Sequence, residues 1–320
     1  MKKLKVALIS GGISVEREVS RKSGDQVYDA LDKTKYDVIR YDPASQLLHL
    51  VSDSSNIDFA LIILHGPFGE DGTIQGLLDL LDIPYQGSGV LGSAVAMNKF
   101  AAKQLYEQSG IPVPPYIMIK KGDPVEYKTC EKRLGSPFIV KPVSGGSSIG
   151  VSIVKSDKSF NEAVESAFSC DDTVLIETFI EGIEITGGVI GNDELETLPI
   201  VEIIPDKAFK FFDYTAKYKT GATKEICPAQ IDDTLTQQAQ TYAKMAHKAL
   251  FCKGYSRTDM ILSGKEIYVL ETNTIPGMTS TSLLPQAAQV AGISFSQLLD
   301  KLIELGIDEH AKTKERRAGK

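Results

Sequence analysis

The feature that most restricts the fold is a pair of short apolar runs, each followed by a loop and a helical pattern. Val6 to Ile9 leads into Gly11-Gly12, and Phe59 to Leu64 precedes the helical pattern from Ile74 to Leu81. Strands that are apolar along their whole length and alternate with helices are typical of a parallel sheet covered on both faces. The sequence therefore predicts an α/β fold in which residues 1–87 form a parallel-sheet domain with ligand-binding loops at its carboxyl edge.

The rest of the chain predicts two further lobes. We expect a central lobe at residues 88–178, a strand-rich lobe at 179–308, and a charged tail at 309–320 that frays. The polar segment 205–224 has no clear period, and such a stretch inside a compact domain is usually functional, so it predicts a lid. In these lobes the predicted helices are 90–107, one that begins at Asp157 and 234–250, and the predicted strands are 138–141, 151–154, 173–177, 256–261 and 266–271.

Charge and composition restrict the partners. The net charge of -7 argues against a nucleic-acid partner, which usually requires a basic face. No stretch approaches the roughly 18 apolar residues of a membrane span, and the run after the basic start is too short for a signal sequence. The cysteines are scattered, without a CxxC pair, which is typical of reduced thiols. These patterns favour a cytoplasmic protein with no membrane partner.

A glycine- and serine-rich loop is the strongest local signal. Lys141 ends a predicted strand and is followed by the sequence SGGSSIG at residues 144–150. Glycines let backbone N–H groups approach phosphate oxygens, and the serine hydroxyls add further donors. The loop lacks the GK[ST] ending of a Walker A motif, and it also lacks the GxGxxG pattern. It therefore predicts a different kind of phosphate-binding loop, or else a flexible hairpin.

A late hairpin supplies acidic and amide side chains. Arg257 and Asp259 lie two apart on one predicted strand, and Glu271 and Asn273 lie two apart on the next. Hard oxygen ligands of this kind suit Mg²⁺ that bridges phosphates, although a charged solvent face is the alternative. We predict an odd-length loop such as Leu262-Ser263-Gly264 with a left-handed Gly264, because a two-residue turn would place Asp259 and Glu271 on opposite faces and defeat a shared metal site.

A third pattern is weaker when it is taken alone. Glu177 ends an apolar strand and is followed by the short hinge Phe179-Ile180 and a second carboxylate, Glu184. In a nucleotide site, the hinge backbone can pair with an adenine edge while a carboxylate binds the ribose hydroxyls. A strand, a turn and another strand with solvated glutamates would give the same sequence.

These three patterns in this order, with Lys99 upstream, resemble the ATP-grasp ligases and, among them, the D-alanine–D-alanine ligase family. The resemblance implies a three-lobed ATP-grasp fold whose N-terminal domain is Rossmann-like. It extends from about residue 4 to residue 304. The motifs that carry it are GGISVEREVS at 11–20, HGPFGEDG at 65–72, GSGV at 87–90, MNK at 97–99, DYTAKY at 213–218 and ETNTIPGMT at 271–279.

The resemblance implies a clamp for ATP and two Mg²⁺ ions, with Mn²⁺ as a possible substitute. It assigns Lys99 and Lys141 to the phosphates, and Asp259, Glu271 and Asn273 to the metal ions. The family often has Asp where this chain has Asn98, which puts a local hydrogen bond in doubt. The other residues that it assigns to the nucleotide are Ser147, Ser148, Glu177, Phe179, Ile180, Glu184 and Lys217.

The resemblance also implies an amino-acid site. Glu16 would bind the ammonium of the first D-alanine, and Glu16 with Ser147 and Tyr218 would close the lid. Arg257 and the Gly277 N–H would stabilise an oxyanion. A tyrosine at position 218 favours the dipeptide over an ester product. His65 and Glu70 are supporting candidates beside Glu16. The residues implied for the second substrate are Lys217, Ser282 and Leu283.

The implied function is ligation of two D-alanines through an acyl phosphate, for peptidoglycan precursor synthesis, by a cytoplasmic homodimer. A ligase for D-alanine and D-lactate or D-serine, or another ATP-grasp carboxylate–amine ligase, is the alternative within the family. A nicotinamide dehydrogenase is a different class suggested by Gly11-Gly12, but its glycine fingerprint is incomplete. A non-catalytic nucleotide-binding module is a third class, which the full set of metal ligands disfavours.

Overall fold

The computed structural model describes residues 2–147, 149–205 and 223–319. Its strands form three sheets: a parallel sheet of order β2-β1-β3, an antiparallel sheet of order β4-β7-β5-β6, and a larger sheet of order β11-β10-β8-β12-β13, with β9 paired to β8. The strands are β1 Leu4–Ser10, β2 Tyr36–Tyr41, β3 Phe59–Ile63, β4 Tyr116–Lys120, β5 Phe138–Pro142, β6 Ser152–Val154, β7 Thr173–Thr178, β8 Ile183–Ile190, β9 Glu196–Thr197, β10 Val201–Pro205, β11 Thr223–Ile226, β12 Tyr255–Ser263 and β13 Glu266–Asn273.

Ten α-helices occur in the described residues, together with a 3-10 helix at Ser54–Asn56. None of these helices has the length and apolar character that a bilayer crossing requires. The helices are α1 Arg17–Ala30, α2 Pro43–Ser52, α3 Thr73–Leu80, α4 Val90–Met97, α5 Lys99–Gln108, α6 Tyr127–Leu134, α7 Asp157–Phe168, α8 Asp233–Ala249, α9 Leu283–Val290 and α10 Phe295–Arg317.

The predicted parallel sheet is confirmed, because β1 pairs in parallel with both β2 and β3. Alternate residues of β1 pack into two different cores. Val6 and Leu8 lie in a core that also contains Leu298 of α10, whereas Ala7 and Ile9 lie in the core on the opposite face. The first sheet is therefore covered on one side by helices from the end of the chain, which anchors the N-terminal loops against the C-terminal lobe.

The predicted helix at 90–107 is interrupted, which corrects the expectation of one continuous element. Asn98 has extended backbone angles, ends α4 and caps α5, and its Oδ1 accepts a hydrogen bond from the Ala101 N–H at 2.9 Å. Asparagine is as effective an N-cap as aspartate, so the departure from the family pattern preserves the cap. Asn98 also forms an antiparallel bridge with Ser144, and this holds the start of α5 against the glycine loop.

Helix α5 makes three side-chain contacts with strands of two different sheets. Lys99 at its first position lies 3.5 Å from Glu271 of β13. One turn later, Lys103 lies 2.9 Å from Glu177 of β7, and after another turn the Tyr106 hydroxyl donates to Thr272 Oγ1 at 2.7 Å. The helix thus links the central sheet to the C-terminal sheet.

In the β12–β13 hairpin, Asp259 and Glu271 lie on one face as predicted, but the cause is a β-bulge and not the loop length. Ser263 pairs with Glu266, so the turn has two residues and the predicted odd-length loop is wrong, although Gly264 is left-handed. The register shifts by one residue after Asp259, which pairs with Glu271 rather than with Leu270. This β-bulge adds the extra residue that we had expected in the loop, and it returns Asp259 and Glu271 to one face of the sheet.

The charged tail is helical rather than frayed, because α10 continues to Arg317. His310 Nε2 lies 3.1 Å from Asp82 Oδ1, and Lys314 lies 2.6 Å from the same carboxylate. Lys312 pairs with Asp193. Exposed ion pairs contribute little singly, but several along one helix oppose its fraying. The charges that suggested disorder are therefore partners of acidic residues elsewhere in the fold.

Candidate active site

The loop after β1 is held in place by charge and by glycine geometry. The Gly12 N–H donates to Asp42 Oδ1 at 3.0 Å, and Arg17 pairs with the same carboxylate. A Cβ on Gly11 would lie 2.6 Å from Asp42, and Gly11 has a φ of 98°, so only glycine fits there. This fixed loop places Glu16, just before α1, with only 6% of its surface exposed.

The loop after β3 packs against Glu16. A Cβ on Gly66 would lie 2.8 Å from Glu16 Oε2, so a glycine is needed where the two loops meet. The Gly66 N–H donates to Glu70 Oε2 at 2.7 Å. Burial, followed by the nearby charge of Glu16, raises the pKa of Glu70 to about 8. Burial also lowers the pKa of His65, so this imidazole is neutral at pH 7.

The glycine-rich loop meets both the N-terminal loops and α5. Ser147 has a φ of 54° and its hydroxyl donates to Glu16, so two residues that are 131 positions apart are in direct contact. Lys99 Nζ donates to the Gly145 carbonyl. Ser148 lies outside the described residues. The glycine-rich loop thus contacts Glu16 through Ser147 and Lys99 through Gly145.

Lys141 is held by a buried carboxylate. Its Nζ contacts Glu177 Oε1, while Lys103 Nζ approaches Glu177 Oε2 at 2.9 Å. Burial acts to raise the pKa of Glu177, but the two ammonium groups outweigh this effect and hold the pKa below its usual range. Lys103 is fully buried. Its role was missed by sequence reasoning, although its position between Ala102 and Tyr106 on the buried face of α5 was a usable signal.

A first cavity lies between the central and C-terminal sheets. Its walls combine apolar side chains with the charged residues described above, as a site for a planar base and a phosphate chain requires. Leu270, the extra residue of the β-bulge, lines this cavity next to Glu271. The predicted residues that line it are Lys99, Lys141, Ser147, Glu177, Phe179, Ile180, Glu184, Asp259 and Glu271.

The carboxylate of Asp259 is highly ordered by its neighbours. Arg257 donates to it through Nε at 3.0 Å and through Nη2 at 2.8 Å. Thr186 donates to Oδ1 at 2.7 Å, and Asn273 Nδ2 donates to Oδ2 at 3.1 Å. Asp259 thus accepts four hydrogen bonds, which fix its orientation at the edge of the first cavity.

The donor set at this edge fits a hard cation. Asp259 and Glu271 are directly opposed on the hairpin, and Arg257 and Asn273 are opposed one step further along. Within the described residues, no three His, Cys, Asp or Glu side chains group as a metal site. A cation here would therefore bind two carboxylates and one amide oxygen, and would need further oxygens from a phosphate ligand or water.

A second cavity lies on the other side of the glycine loop. It is lined by Glu16 and His65 from the N-terminal loops and by Arg257 from β12. Gly277, Ser282 and Leu283 also line it, from the segment after β13. The two cavities share a common wall, which is formed by Lys99, Gly145, Gly146, Ser147 and Glu271.

The segment after β13 is compact and close to its neighbours. Ser282 Oγ accepts from the Thr279 N–H at 3.0 Å, and the two hydroxyls lie 2.7 Å apart. A Cβ on Gly277 would lie 3.0 Å from Ser282 Oγ, so glycine permits this approach. These contacts bring the Gly277 backbone and the Ser282 hydroxyl to one side of the second cavity.

Two predicted residues, Lys217 and Tyr218, lie outside the described residues. The strands that flank their segment are paired, with Pro205 opposite Thr223. Thr223, the first described residue after that segment, lines the second cavity.

Comparison with known proteins gives a consistent result over almost the whole chain. A model described as the D-ala D-ala ligase C-terminus matches residues 105–304, and one described as the N-terminus matches residues 40–88. The chain belongs to the D-alanine–D-alanine ligase family. It is 62% identical over 307 residues to the D-alanine–D-alanine ligase of Syntrophobacter fumaroxidans, covering 96% of this chain and 99% of the relative.

Two other family members extend the comparison. The chain is 52% identical over 310 residues to the D-alanine–D-alanine ligase of Desulfotalea psychrophila, with 96% of each chain covered. The crystal structure of the ligase from Bacillus anthracis complexed with ATP has a TM-score of 0.85 and 35% identity, over 97% of this chain and 99% of that one. The ATP-grasp fold expected from the sequence is therefore confirmed.

Proposed function

We propose that the chain joins two D-alanines to D-alanyl-D-alanine at the expense of ATP, which yields ADP and phosphate and supplies a precursor of peptidoglycan. The observation that carries this proposal is the common wall between the two cavities. A triphosphate in the first cavity and an amino acid in the second would face each other across Lys99, Ser147 and Glu271. A phosphoryl group could then pass between them without entering bulk water.

The first step is phosphorylation of the carboxylate of the first D-alanine. A carboxylate oxygen attacks the γ-phosphorus of ATP, the bond from that phosphorus to the β,γ-bridging oxygen breaks, and ADP leaves. Two anions must approach, so cations are required near the shared wall. Lys99 and Lys141 supply positive charge there, while Glu16 binds the ammonium of the amino acid and orients its carboxylate towards the wall.

Magnesium would be held by Asp259, Glu271 and the Asn273 amide oxygen, and when bound it neutralises phosphate charge. The support is the opposition of these residues across the hairpin and the hardness of their oxygen donors. Two ions are expected, with Mn²⁺ as a substitute. Arg257 keeps Asp259 oriented through its two hydrogen bonds.

The second step forms the peptide bond. The neutral amine of the second D-alanine attacks the acyl carbon, and the carbonyl oxygen gains negative charge. As the tetrahedral intermediate collapses, the bond from carbon to the phosphate oxygen breaks, and the nitrogen passes its extra proton to the departing phosphate. Arg257 and the Gly277 N–H are the proposed donors to that oxygen, since both line the second cavity. Ser282, Leu283 and Lys217 are proposed to bind the second substrate.

A lid is required because an acyl phosphate hydrolyses in water. We propose segment 205–224 for this role, with Tyr218 completing a contact to Glu16 and Ser147. Two observations support it: the flanking residues Pro205 and Thr223 are paired, and Thr223 lines the second cavity.

The remaining proposals concern organisation. We propose lobes at 1–87, 88–178 and 179–308, supported by one sheet in each, and a cytoplasmic location. A homodimer is also proposed, supported by exposed apolar side chains such as Leu80 (87%) and Leu91 (58%) on the adjacent helices α3 and α4. Light scattering of the purified protein tests the dimer.

The test of the activity is phosphate release with ATP, Mg²⁺ and D-alanine, with L-alanine as the matched control and product mass as the second measurement. We expect release with the D-enantiomer alone and a product of the mass of D-alanyl-D-alanine. Equal release with both enantiomers would contradict the proposal. Preferential formation of a mixed product when D-serine or D-lactate competes with D-alanine would favour the corresponding alternative ligase.

A further inference from the structure

A third lysine lies beneath the first cavity, behind the two that were expected to contact phosphates. Lys103 is completely buried, and its ammonium lies 2.9 Å from Glu177 Oε2, while Lys141 takes the other oxygen of the same carboxylate. We infer that Lys103 is a positioning residue for the nucleotide: by neutralising Glu177, it leaves the charge of Lys141 available to the triphosphate. This inference rests on the proposed ATP site.

The charges of the three groups give the reason. Burial lowers the pKa of Lys103, but its contact with the Glu177 carboxylate opposes that effect and favours the ammonium form. With both lysines protonated, Lys103, Glu177 and Lys141 together carry one net positive charge, whereas Glu177 and Lys141 without Lys103 carry none. Lys141 and Glu177 line the first cavity, so a triphosphate there interacts with the sum of these charges. The low exposure of Glu177, at 1%, means that water screens the interaction weakly.

The geometry adds a second effect. A carboxylate shared between two ammonium groups has both oxygens fixed, so Lys141 is held at a defined place on the cavity floor. Lys103 itself is fixed by α5, one turn after Lys99, and its ammonium lies 5.3 Å from the centre of the Tyr116 ring. The three lysines thus act together, although Lys103 does not line the cavity.

The test compares two ligands that differ by the phosphate chain. We would measure the Kd of ATP and the Kd of adenosine by calorimetry at fixed Mg²⁺, for the full chain and for Lys103→Met. We expect the ratio of the adenosine Kd to the ATP Kd to fall about tenfold, because one charge within roughly 10 Å of the phosphates is removed. Lys128→Met, an exposed lysine on α6, is the matched control and should leave the ratio unchanged.

Two further variants separate charge from general damage. Glu177→Gln removes the carboxylate that keeps the buried Lys103 protonated, so Lys103 should become neutral and Lys141 alone should carry one positive charge. This variant and the double variant Lys103→Met with Glu177→Gln should therefore both keep the wild-type ratio. The ratio cancels any adenine contact that Glu177 makes, since both ligands contain adenine. If Lys103→Met alone does not fold, the double variant can still be measured, because in it a glutamine replaces the buried Glu177 carboxylate, which loses its Lys103 partner in the single variant.

The outcomes are distinct. An unchanged ratio in Lys103→Met, or equal weakening of both ligands, would overturn the inference and reduce Lys103 to a structural residue. Failure of the double variant to recover the ratio would also overturn it. If the wild-type chain itself does not bind ATP, the proposed function is contradicted instead.

Discussion

Replacement of Asp259 by asparagine tests the proposed metal site and the network around it in one change. The carboxylate accepts four hydrogen bonds, from Thr186, Asn273 and two nitrogens of Arg257. The amide of an asparagine has one accepting oxygen, so its NH₂ group would face donors from Arg257 and Asn273. That NH₂ group would then face two donors and find no acceptor, and the partly buried Arg257 guanidinium would lose its ion pair with residue 259.

The magnitude follows from these contacts. Hydrogen bonds to charged groups contribute about 1.5–3 kcal/mol each, and breaking a buried ion pair costs more than breaking an exposed one. Arg257 and Asp259 have side-chain exposures of 13% and 9%, so we expect the free energy of unfolding to fall by roughly 2–4 kcal/mol. Glu271→Gln removes the ion pair with Lys99, whose charged atoms lie 3.5 Å apart. We expect this change to lower the free energy of unfolding by less than about 1 kcal/mol.

The assays are urea unfolding and phosphate release as a function of Mg²⁺ concentration. Both variants should lose most of their activity, roughly a hundredfold or more, whereas only Asp259→Asn should lose stability. Asp37→Asn, on the exposed side of β2, is the control for a lost carboxylate. Full activity of Glu271→Gln at ordinary Mg²⁺ would refute the metal assignment, and an unchanged stability of Asp259→Asn would refute the network argument.

Three other predictions follow from the site. Burial raises the pKa of Glu70 from 4.5 to about 8, so the unfolded chain loses this proton at lower pH and the free energy of unfolding falls between these two pH values. Glu70→Gln should reduce that fall by roughly 1–3 kcal/mol, measured by urea unfolding at pH 5 and at pH 8. An identical fall in the variant would contradict the burial argument. Gly277→Ala would place a Cβ 3.0 Å from Ser282 Oγ, so the KM for the second D-alanine should rise roughly three- to tenfold, while an unchanged KM would remove Ser282 from that site. Tyr218→Phe should raise ester over amide formation when D-lactate competes with D-alanine, and a constant product ratio over a range of pH would argue against a role for the hydroxyl.

Much of the fold could be predicted because the relevant signals are local. The apolar runs at Val6 and Phe59 identify buried parallel strands, and the elements predicted in the later lobes lie within two residues of the observed bounds, apart from the helix that breaks at Asn98. That break could not be read from periodicity, since both halves are good helix formers. Strand β2 and helix α2 were also missed. The sequence YDVIRY of β2 lacks strict alternation, because exposed Asp37 and Ile39 share a face with buried Tyr41.

The site was harder to predict where it depends on register. The side-by-side placement of Asp259 and Glu271 was expected, but from an odd loop rather than from a bulge at Leu270. A β-bulge has a weaker sequence signature than a turn. The sequence could therefore not distinguish an odd-length loop from a bulge, although both place Asp259 beside Glu271. Lys103 was missed for another reason: a lysine inside a helix is usually solvated, and this expectation outweighed its position between the apolar residues Ala102 and Tyr106.

Helix α5 has a consequence for how the two substrates could influence each other. Its contacts at Lys99, Lys103 and Tyr106 follow one another at intervals of four and three residues, so all three lie along a single stripe only about 11 Å long. A small rotation of helix α5 about its axis would disturb all three contacts together. A substitution that displaces this helix should therefore impair the nucleotide and amino-acid sites together, even where the altered residue lines neither cavity.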